Sequence, residues 1–224
     1  MLNRFTPDKI RNVALVSHIG VGKTTLTESF LYTAGLIDRM GDTSQGNTVC
    51  DWEPEEIERK MSINLSVAPI LWKDHKINIL DTPGYIGFVG EVVAALSVVE
   101  SVLILVSAVS GVEIDTLRVF DLSSKLSRAI LLNKIDKENA DFYKALKSVQ
   151  EKLSGNFVVV QIPIGKESNF SGVIDLIDMK ALIYDNPKKV NVQTLSESKL
   201  PSEIIQQAET YRGKLIESAA ENDD

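Results

Sequence analysis

The chain has 224 residues, of which 44% are hydrophobic, and its formal net charge at pH 7 is −7. This apolar content supports a sizeable core and excludes a globally disordered chain. The acidic balance excludes a broad basic face for nucleic acid, although a local contact with an RNA machine stays open. The single cysteine, Cys50, excludes an internal disulfide and is typical of a reducing compartment, so we expect a cytoplasmic protein. Neither a signal peptide nor an apolar run long enough to cross a bilayer is recognisable.

The first pattern in the chain joins a predicted strand to a predicted helix. Residues 13–16 are apolar, and apolar residues after position 25 recur at the spacing of one helix face. Between them, residues 17–24 read Ser-His-Ile-Gly-Val-Gly-Lys-Thr. This order predicts a phosphate-binding P-loop, because loop N–H groups and a helix N-terminus attract anionic phosphates. An ordinary turn with a surface lysine is the alternative, but the context on both sides favours the P-loop.

Two side chains of this loop have predicted roles. Lys23 supplies a positive charge at the outer phosphates and is a candidate catalytic residue, and the Thr24 hydroxyl is placed to ligate Mg²⁺. Ser17 occupies the position of the usual opening glycine and is small enough to fit. The residues expected to contact the nucleotide are His18, Ile19, Gly20, Val21, Gly22, Lys23, Thr24 and Thr25.

Residues 36–61 are polar and aperiodic, with a cluster of acidic residues at 51–58. A long stretch without regular structure inside a compact domain is usually functional or mobile. We expect it to be mobile or displaced from the phosphates. A solvated acidic loop is the alternative interpretation.

Residues 62–80 contain two strand-like runs around a turn at Lys73 and Asp74, and the second run ends in Asp81-Thr82-Pro83-Gly84. Ligands of open α/β sheets bind beyond the carboxyl ends of strands. Asp81 is therefore expected to hold Mg²⁺ through water, and the amide of Gly84 to reach a γ-phosphate. Asp-Thr-Pro-Gly alone is a good turn, but its place downstream of a P-loop favours the nucleotide site.

A further strand is predicted at residues 102–107 and another at 129–132, which is followed by Asn133-Lys134-Ile135-Asp136. A carboxylate at Asp136 accepts two hydrogen bonds from guanine N1 and N2, a pair that adenine does not offer. Asn133 is expected to brace the base and the P-loop, and the Lys134 stem to cover the ring. A chance surface tetrapeptide is the alternative, which its position and order disfavour.

The rhythm of strand and helix changes in the last third of the chain. An amphipathic helix is predicted after residue 141, and residues 158–160 read as another strand. Turn residues then become frequent, and a last helix is predicted to open at Pro201-Ser202. We therefore predict a GTP-binding core at residues 1–160 and part of an inserted subdomain at residues 161–224.

The motifs together resemble those of the translational GTPases, especially the G domain of elongation factor G. Trp52, Glu58-Arg59 and residues 72–81, 163–165 and 170–175 also resemble that family, so the likeness covers nearly the whole chain. It implies an α/β P-loop GTPase fold, with a mixed, mostly parallel sheet flanked by helices and the start of an inserted subdomain. It also implies GTP or GDP and Mg²⁺ as cofactors and the ribosome as partner through the full-length factor. Ser62 stands where a threonine of the family ligates Mg²⁺.

Three residues depart from the family pattern: Gly20 replaces an aspartate, Lys60 a glycine and Tyr85 a histidine that positions the attacking water. The resemblance makes Tyr85 and Gly84 candidate catalytic residues beside Lys23. Tyrosine titrates near pH ~10, so it cannot reproduce the acid–base behaviour of histidine near neutrality. Gly20 and Tyr85 together resemble the divergent, second-type branch of elongation factor G-like proteins.

Two further expectations follow from the resemblance. The family's final strand and fifth guanine motif have no counterpart here, so we expect an incomplete G domain that binds nucleotide weakly. The leading function is a GTPase of a ribosome translocation-type factor. The alternatives are a nucleotide-dependent ribosome-binding module with little or no hydrolysis, and a ribosome-protection or release-type factor.

Overall fold

The computed structural model describes residues 5–186 and 189–221 of the chain. The chain divides into two compact units, Met1–Lys134 and Ile135–Asp224. Each unit has its own sheet and its own buried apolar cluster.

The first unit is built on a five-stranded sheet. Its strands are β1 (Ile10–Val16), β2 (Ser66–Trp72), β3 (His75–Asp81), β4 (Ser101–Ser107) and β5 (Ser127–Asn133). Their order is β2-β3-β1-β4-β5, with β2 antiparallel to β3 and all other neighbours parallel. Since parallel strands end at the same edge, the segments after β1, β3, β4 and β5 are brought together there.

Helices flank this sheet. They are α1 (Lys23–Thr33), α2 (Pro54–Arg59), α3 (Val89–Leu96) and α4 (Ile114–Leu122). Helix α1 packs Leu26, Phe30 and Leu31 on a buried cluster that includes Leu15 and Ile79 of the sheet. Helix α3 contacts β1, and α4 contacts β4. The predicted α/β fold, with a mixed and mostly parallel sheet flanked by helices, is confirmed.

The predicted hairpin is also confirmed. Strands β2 and β3 pair from Ser66↔Asp81 to Trp72↔His75, and Lys73 and Asp74 form the turn between them. Both turn residues have positive φ, 44° and 61°, which matches the twist of a two-residue hairpin. This register places Asp81 at the carboxyl end of β3, beside Leu15 of β1.

The second unit contains helix α5 (Phe142–Lys152), the strands β6 (Gln161–Ile164), β7 (Gly172–Asp175), β8 (Lys180–Asn186) and β9 (Lys189–Thr194), and helix α6 (Ser202–Ala220). The strands form an antiparallel sheet in sequence order. Ala208 of α6 is fully buried against Ile162 and Ile174 of this sheet. The helix predicted at Pro201-Ser202 is confirmed.

One predicted element of the second unit is wrong. Residues 158–160 form no strand, and pairing starts only at Gln161. Val158 and Val160 are 38% and 49% exposed, so their apolar side chains do not mark a buried strand. The predicted boundary after residue 160, between a GTP-binding core and an inserted subdomain, stays a prediction. Among the described residues, no helix has the length and hydrophobicity needed to cross a membrane.

Candidate functional site

The P-loop, residues 17–24, connects β1 to α1 at the carboxyl edge of the first sheet. Gly20 and Gly22 have φ values of 74° and 104°, a region that favours glycine. Gly22 caps α1 without a side-chain hydrogen bond, so the N–H groups of the first helical turn stay available to an anion. Ile19 and Thr25 are exposed, whereas Val21 and Thr24 are buried.

The last residue of β5 and the residue after it hold the second half of the loop. Asn133 donates from Nδ2 to the Val21 carbonyl at 2.8 Å, and Lys134 donates from Nζ to the Gly20 carbonyl. A Cβ added to Gly22 would lie 2.9 Å from Asn133 Nδ2, so the loop and this amide pack without room for a side chain. The structure thus brings Asn133 and Lys134 to the P-loop. Their contacts to the base stay predictions.

Lys23 is buried, with 6% of its surface exposed, and donates to the Ser17 hydroxyl at 2.9 Å. Burial lowers the pKa of Lys23 to about 8 because it disfavours the ammonium form, and the carboxylates of Asp81 and Asp51 oppose this shift. A buried ammonium held by one hydroxyl, with two carboxylates nearby, provides a fixed charge for an incoming phosphate.

Asp81 is 1% exposed, and neither of its carboxylate oxygens has a hydrogen-bond partner among the described residues. Burial raises the pKa of Asp81 to about 7, although the ammonium of Lys23 and the nearby Thr24 hydroxyl favour its charged form. A buried carboxylate without partners is costly, and a cation or its water would satisfy it. The donor set therefore fits Mg²⁺, which prefers oxygen ligands.

Two hydroxyls lie beside this carboxylate. Thr24 Oγ1 is 3.1 Å from Ser62 Oγ, and Ser62 donates to Asp51 Oδ1 at 2.7 Å. Asp51 also accepts from the Thr48 hydroxyl at 3.1 Å, and burial raises its pKa against both hydrogen bonds. Sequence reasoning counted Asp51 only within an acidic stretch. Because Asp51 is far from Thr24 in the chain, the sequence did not indicate that the two residues belong to the same site.

Among the described residues, no group of three or more His, Cys, Asp or Glu side chains could hold a metal ion alone. A cation at Thr24, Ser62 and Asp81 would therefore need further ligands from phosphate and water. This is the coordination that Mg²⁺ usually keeps at phosphates.

Residues 36–61 are not a structureless loop. Glu28 of α1 accepts from the N–H groups of Gly41 and Val49 at 2.7 and 2.6 Å. Glu56 of α2 accepts from those of Ile63 and Asn64 at 2.9 and 3.0 Å. The two glutamates are 1% exposed, so they anchor the segment that delivers Ser62. The segment also contains the 3₁₀ helix Thr43–Gln45 as well as α2.

Gly84 lies against the P-loop. A Cβ added there would be 2.6 Å from Lys23 Nζ and 2.8 Å from the Ile19 Cα, so its backbone fits only without a side chain. Tyr85 is 50% exposed, and its ring packs edge-on against Phe88 with 5.7 Å between centroids. The catalytic roles of both residues stay predictions.

Asp136 belongs to the second unit. Its side chain is 58% exposed and lies 3.2 Å from the Lys137 ammonium. An exposed carboxylate next to the loop residues Asn133 and Lys134 in the chain is available to a ligand. Selection of guanine by Asp136 stays a prediction.

Comparison with known proteins identifies the family. The model of the elongation factor Tu GTP-binding domain matches residues 8–218. The crystal structure of ttk003000868 from Thermus thermophilus is similar, with 33% identity and a TM-score of 0.89. That similarity covers 96% of this chain and 32% of the Thermus protein, so the chain spans about a third of that protein. With a P-loop, a buried Lys23 and an unpartnered Asp81 at one sheet edge, the chain belongs to the elongation factor Tu GTP-binding domain family, whose members bind guanine nucleotides.

Proposed function

We propose that this domain binds GTP with Mg²⁺ and hydrolyses it, as the conformational switch of a translocation-type elongation factor on the ribosome. One observation carries the proposal: the buried Asp81 carboxylate, which has no hydrogen-bond partner among the described residues, lies with Lys23 and the hydroxyls of Thr24 and Ser62 at the P-loop. A cytoplasmic location fits this function, and residues 161–224 fit the start of an inserted subdomain.

Phosphate binding falls to the P-loop. Its N–H groups and those of the first turn of α1 donate hydrogen bonds to phosphate oxygens, and Lys23 supplies the positive charge. An anion beside Lys23 favours the ammonium, which offsets the cost of burying it. The expected nucleotide contacts run from His18 to Thr25, with the Gly84 amide available to the γ-phosphate.

Thr24 and Ser62 would hold Mg²⁺ directly and Asp81 through water, while Asp51 orients the Ser62 hydroxyl. The ion, when bound, neutralises charge on the phosphate oxygens during transfer. Glu56 anchors the backbone directly after Ser62, so the position of Ser62 depends on the conformation of that segment. This link is the proposed basis of the switch.

Guanine selection falls to Asp136, with Asn133 bracing the loop beneath the base. The test is a calorimetric titration of the chain with GTP, GDP and ATP in Mg²⁺. We expect ATP to bind at least roughly a hundredfold more weakly than GTP, because a site built for a specific hydrogen-bond pair rejects the analogue lacking it. Asp136→Asn should weaken GTP and strengthen xanthosine triphosphate. Comparable affinities for ATP and GTP would contradict the guanine assignment.

The surroundings of Tyr85 favour a second candidate, a nucleotide-dependent ribosome-binding module with little hydrolysis. Its ring packs on Phe88, and a phenol cannot take part in acid–base chemistry near neutrality as a histidine can. Single-turnover hydrolysis with ribosomes separates the two functions, with Lys23→Ala as the inactive control. Fast turnover in the wild type supports the GTPase. Slow turnover that Tyr85→His accelerates supports the binding module.

A further inference from the structure

The first half of the P-loop contacts helix α4 through His18. The ring nitrogen Nδ1 lies 2.7 Å from Oδ2 of Asp115, in the first turn of α4. A carboxylate only accepts hydrogen bonds, so this pair places a proton on Nδ1 and fixes the orientation of the ring. The two residues are 97 positions apart in the chain.

Asp115 is itself fixed in place. The residue is 8% exposed, and its other oxygen lies 3.7 Å from the Arg118 guanidinium one turn later. Glu113, directly before α4, places Oε1 3.6 Å from His18 Nε2, which is too far for a hydrogen bond. The charged groups that the structure places at this ring are thus Asp115 and Glu113, with Arg118 behind Asp115.

Sheet topology explains why the contact forms. Strands β1 and β4 are parallel neighbours, with Val16 opposite Ile104, so the P-loop and the segment leading to α4 leave the sheet side by side. Asn133 and Lys134 hold the carbonyls of Val21 and Gly20 in the second half of the loop. His18 ties the first half to a different element.

We propose that Asp115 is a positioning residue for nucleotide binding: it holds the His18 ring, and through it the first turn of the P-loop, in the conformation that receives phosphate. The inference rests on guanine nucleotide binding at this site. Phosphate binding depends on several loop N–H groups aimed at one point, and a small displacement of such groups weakens binding strongly. Asp115 touches His18 and is not itself assigned to the nucleotide.

The test compares GDP affinity among Asp115→Ala, Asp115→Asn, His18→Ala and the double variant His18→Ala/Asp115→Ala, all in Mg²⁺. We expect Asp115→Ala to weaken GDP roughly tenfold, the effect of losing one charge-assisted hydrogen bond. Asp115→Asn keeps an acceptor oxygen and should restore most of the affinity. The double variant should lose no more affinity than His18→Ala alone, because Asp115 acts through the ring that His18→Ala already removes.

The matched control is Asp121→Ala, which removes an exposed carboxylate from the same helix. Its GDP affinity should equal that of the wild type. Thermal unfolding of each variant is recorded in parallel. A general loss of stability in Asp115→Ala with unchanged GDP affinity would overturn the inference.

Imidazole NMR gives a direct signature of the contact. The chain contains two histidines, and His18→Ala assigns their signals. The Nδ1 proton of His18 should be protected and shifted downfield in the wild type and in Asp115→Asn, and lost in Asp115→Ala.

The outcomes separate this inference from the proposed function. A wild-type chain that binds no GDP would overturn both. If the wild type binds GDP, and His18→Ala and Asp115→Ala bind it as tightly as the wild type does, the positioning role alone would be overturned. Additive losses in the double variant would also overturn it, because the two side chains would then act independently.

Discussion

The P-loop, residues 17–24, and the acidic segment, residues 36–62, form two sides of one site by different means. The P-loop is shaped by its backbone, with positive φ at Gly20 and Gly22 and the start of α1 directly after them. The acidic segment is shaped by the buried carboxylates of Glu28, Asp51 and Glu56, which accept hydrogen bonds from N–H and hydroxyl groups. The P-loop takes its bend from consecutive residues, with Asn133 and Lys134 holding two of its carbonyls, whereas the acidic segment depends throughout on hydrogen bonds between separated residues.

This difference has an energetic consequence. Removing an acceptor from a buried N–H group leaves the donor unsatisfied, which costs more than the hydrogen bond itself contributes. Loss of a single carboxylate should therefore destabilise the acidic segment. The P-loop should instead be disturbed by an added side chain, for which its backbone has no room. Four predictions test this contrast, in order of decreasing effect.

Gly22→Ala should abolish nucleotide binding, with affinity for GDP reduced more than roughly a hundredfold. Its φ of 104° is strained for alanine, and the new Cβ would lie 2.9 Å from Asn133 Nδ2. Calorimetric titration measures the effect. Gly213→Ala in α6, where a Cβ meets no atom within 4 Å, is the matched control and should bind normally. Near-normal binding by Gly22→Ala would show that the loop tolerates a side chain.

Glu28→Ala should lower the free energy of unfolding by about 2–4 kcal/mol, because it leaves the N–H groups of Gly41 and Val49 without their acceptor. Urea unfolding measures the loss. Trp52, which is 65% exposed in the same segment, should report loosening through its fluorescence at low urea concentration. The control is Glu58→Ala, an exposed residue of α2, which should be neutral. Equal stabilities would argue against the anchoring role.

The nucleotide-free protein should lose stability as the pH rises from roughly 5 to about 7.5. The pKa of Asp81 is about 7 in the folded state and 3.8 when unperturbed, so the folded chain binds more protons in this window. Stability is then greater at the acid end, by on the order of 1–3 kcal/mol. Above pH 8, Lys23 reverses the trend, because its folded pKa of about 8 lies below the usual 10.5.

Urea unfolding in EDTA measures this profile. Asp81→Asn should remove the Asp81 part of the fall between about pH 5 and 7.5. The rise due to Lys23 should remain but begin at a lower pH, because the Asp81 carboxylate raises the pKa of Lys23. A wild-type profile with the same slope as Asp81→Asn would contradict the assignment.

Lys60→Gly should raise the free energy of unfolding by about 0.5–1 kcal/mol. Lys60 caps α2 in the left-handed conformation, with φ 54°, where glycine has no Cβ to clash. Thermal unfolding measures the gain, and Lys60→Ala, which keeps the Cβ, is the control and should show none. This smallest effect tests backbone conformation, rather than a carboxylate, within the acidic segment.

The sequence by itself determined the parts of the site that are contiguous. The P-loop, Asp81 to Gly84, and Asn133 with Lys134 could be predicted to lie together because each stands at the carboxyl end of a strand, and parallel strands share a carboxyl edge. The role of Asp136 in selecting guanine stays a prediction. The hairpin turn at Lys73 and Asp74 was predictable for a similar local reason. The strand wrongly predicted at residues 158–160 shows the limit, because apolar side chains alone do not reveal whether a neighbour pairs with them.

Only the tertiary structure decided the positions of Glu28, Asp51, Glu56 and Asp115. Each is an acidic side chain in an acidic chain, and the sequence does not distinguish a solvated carboxylate from a buried one. Their partners lie from 3 to 97 positions away, so no spacing in the sequence marks them. Folding gives these carboxylates their roles, because each is buried beside hydrogen-bond donors that would otherwise lack an acceptor.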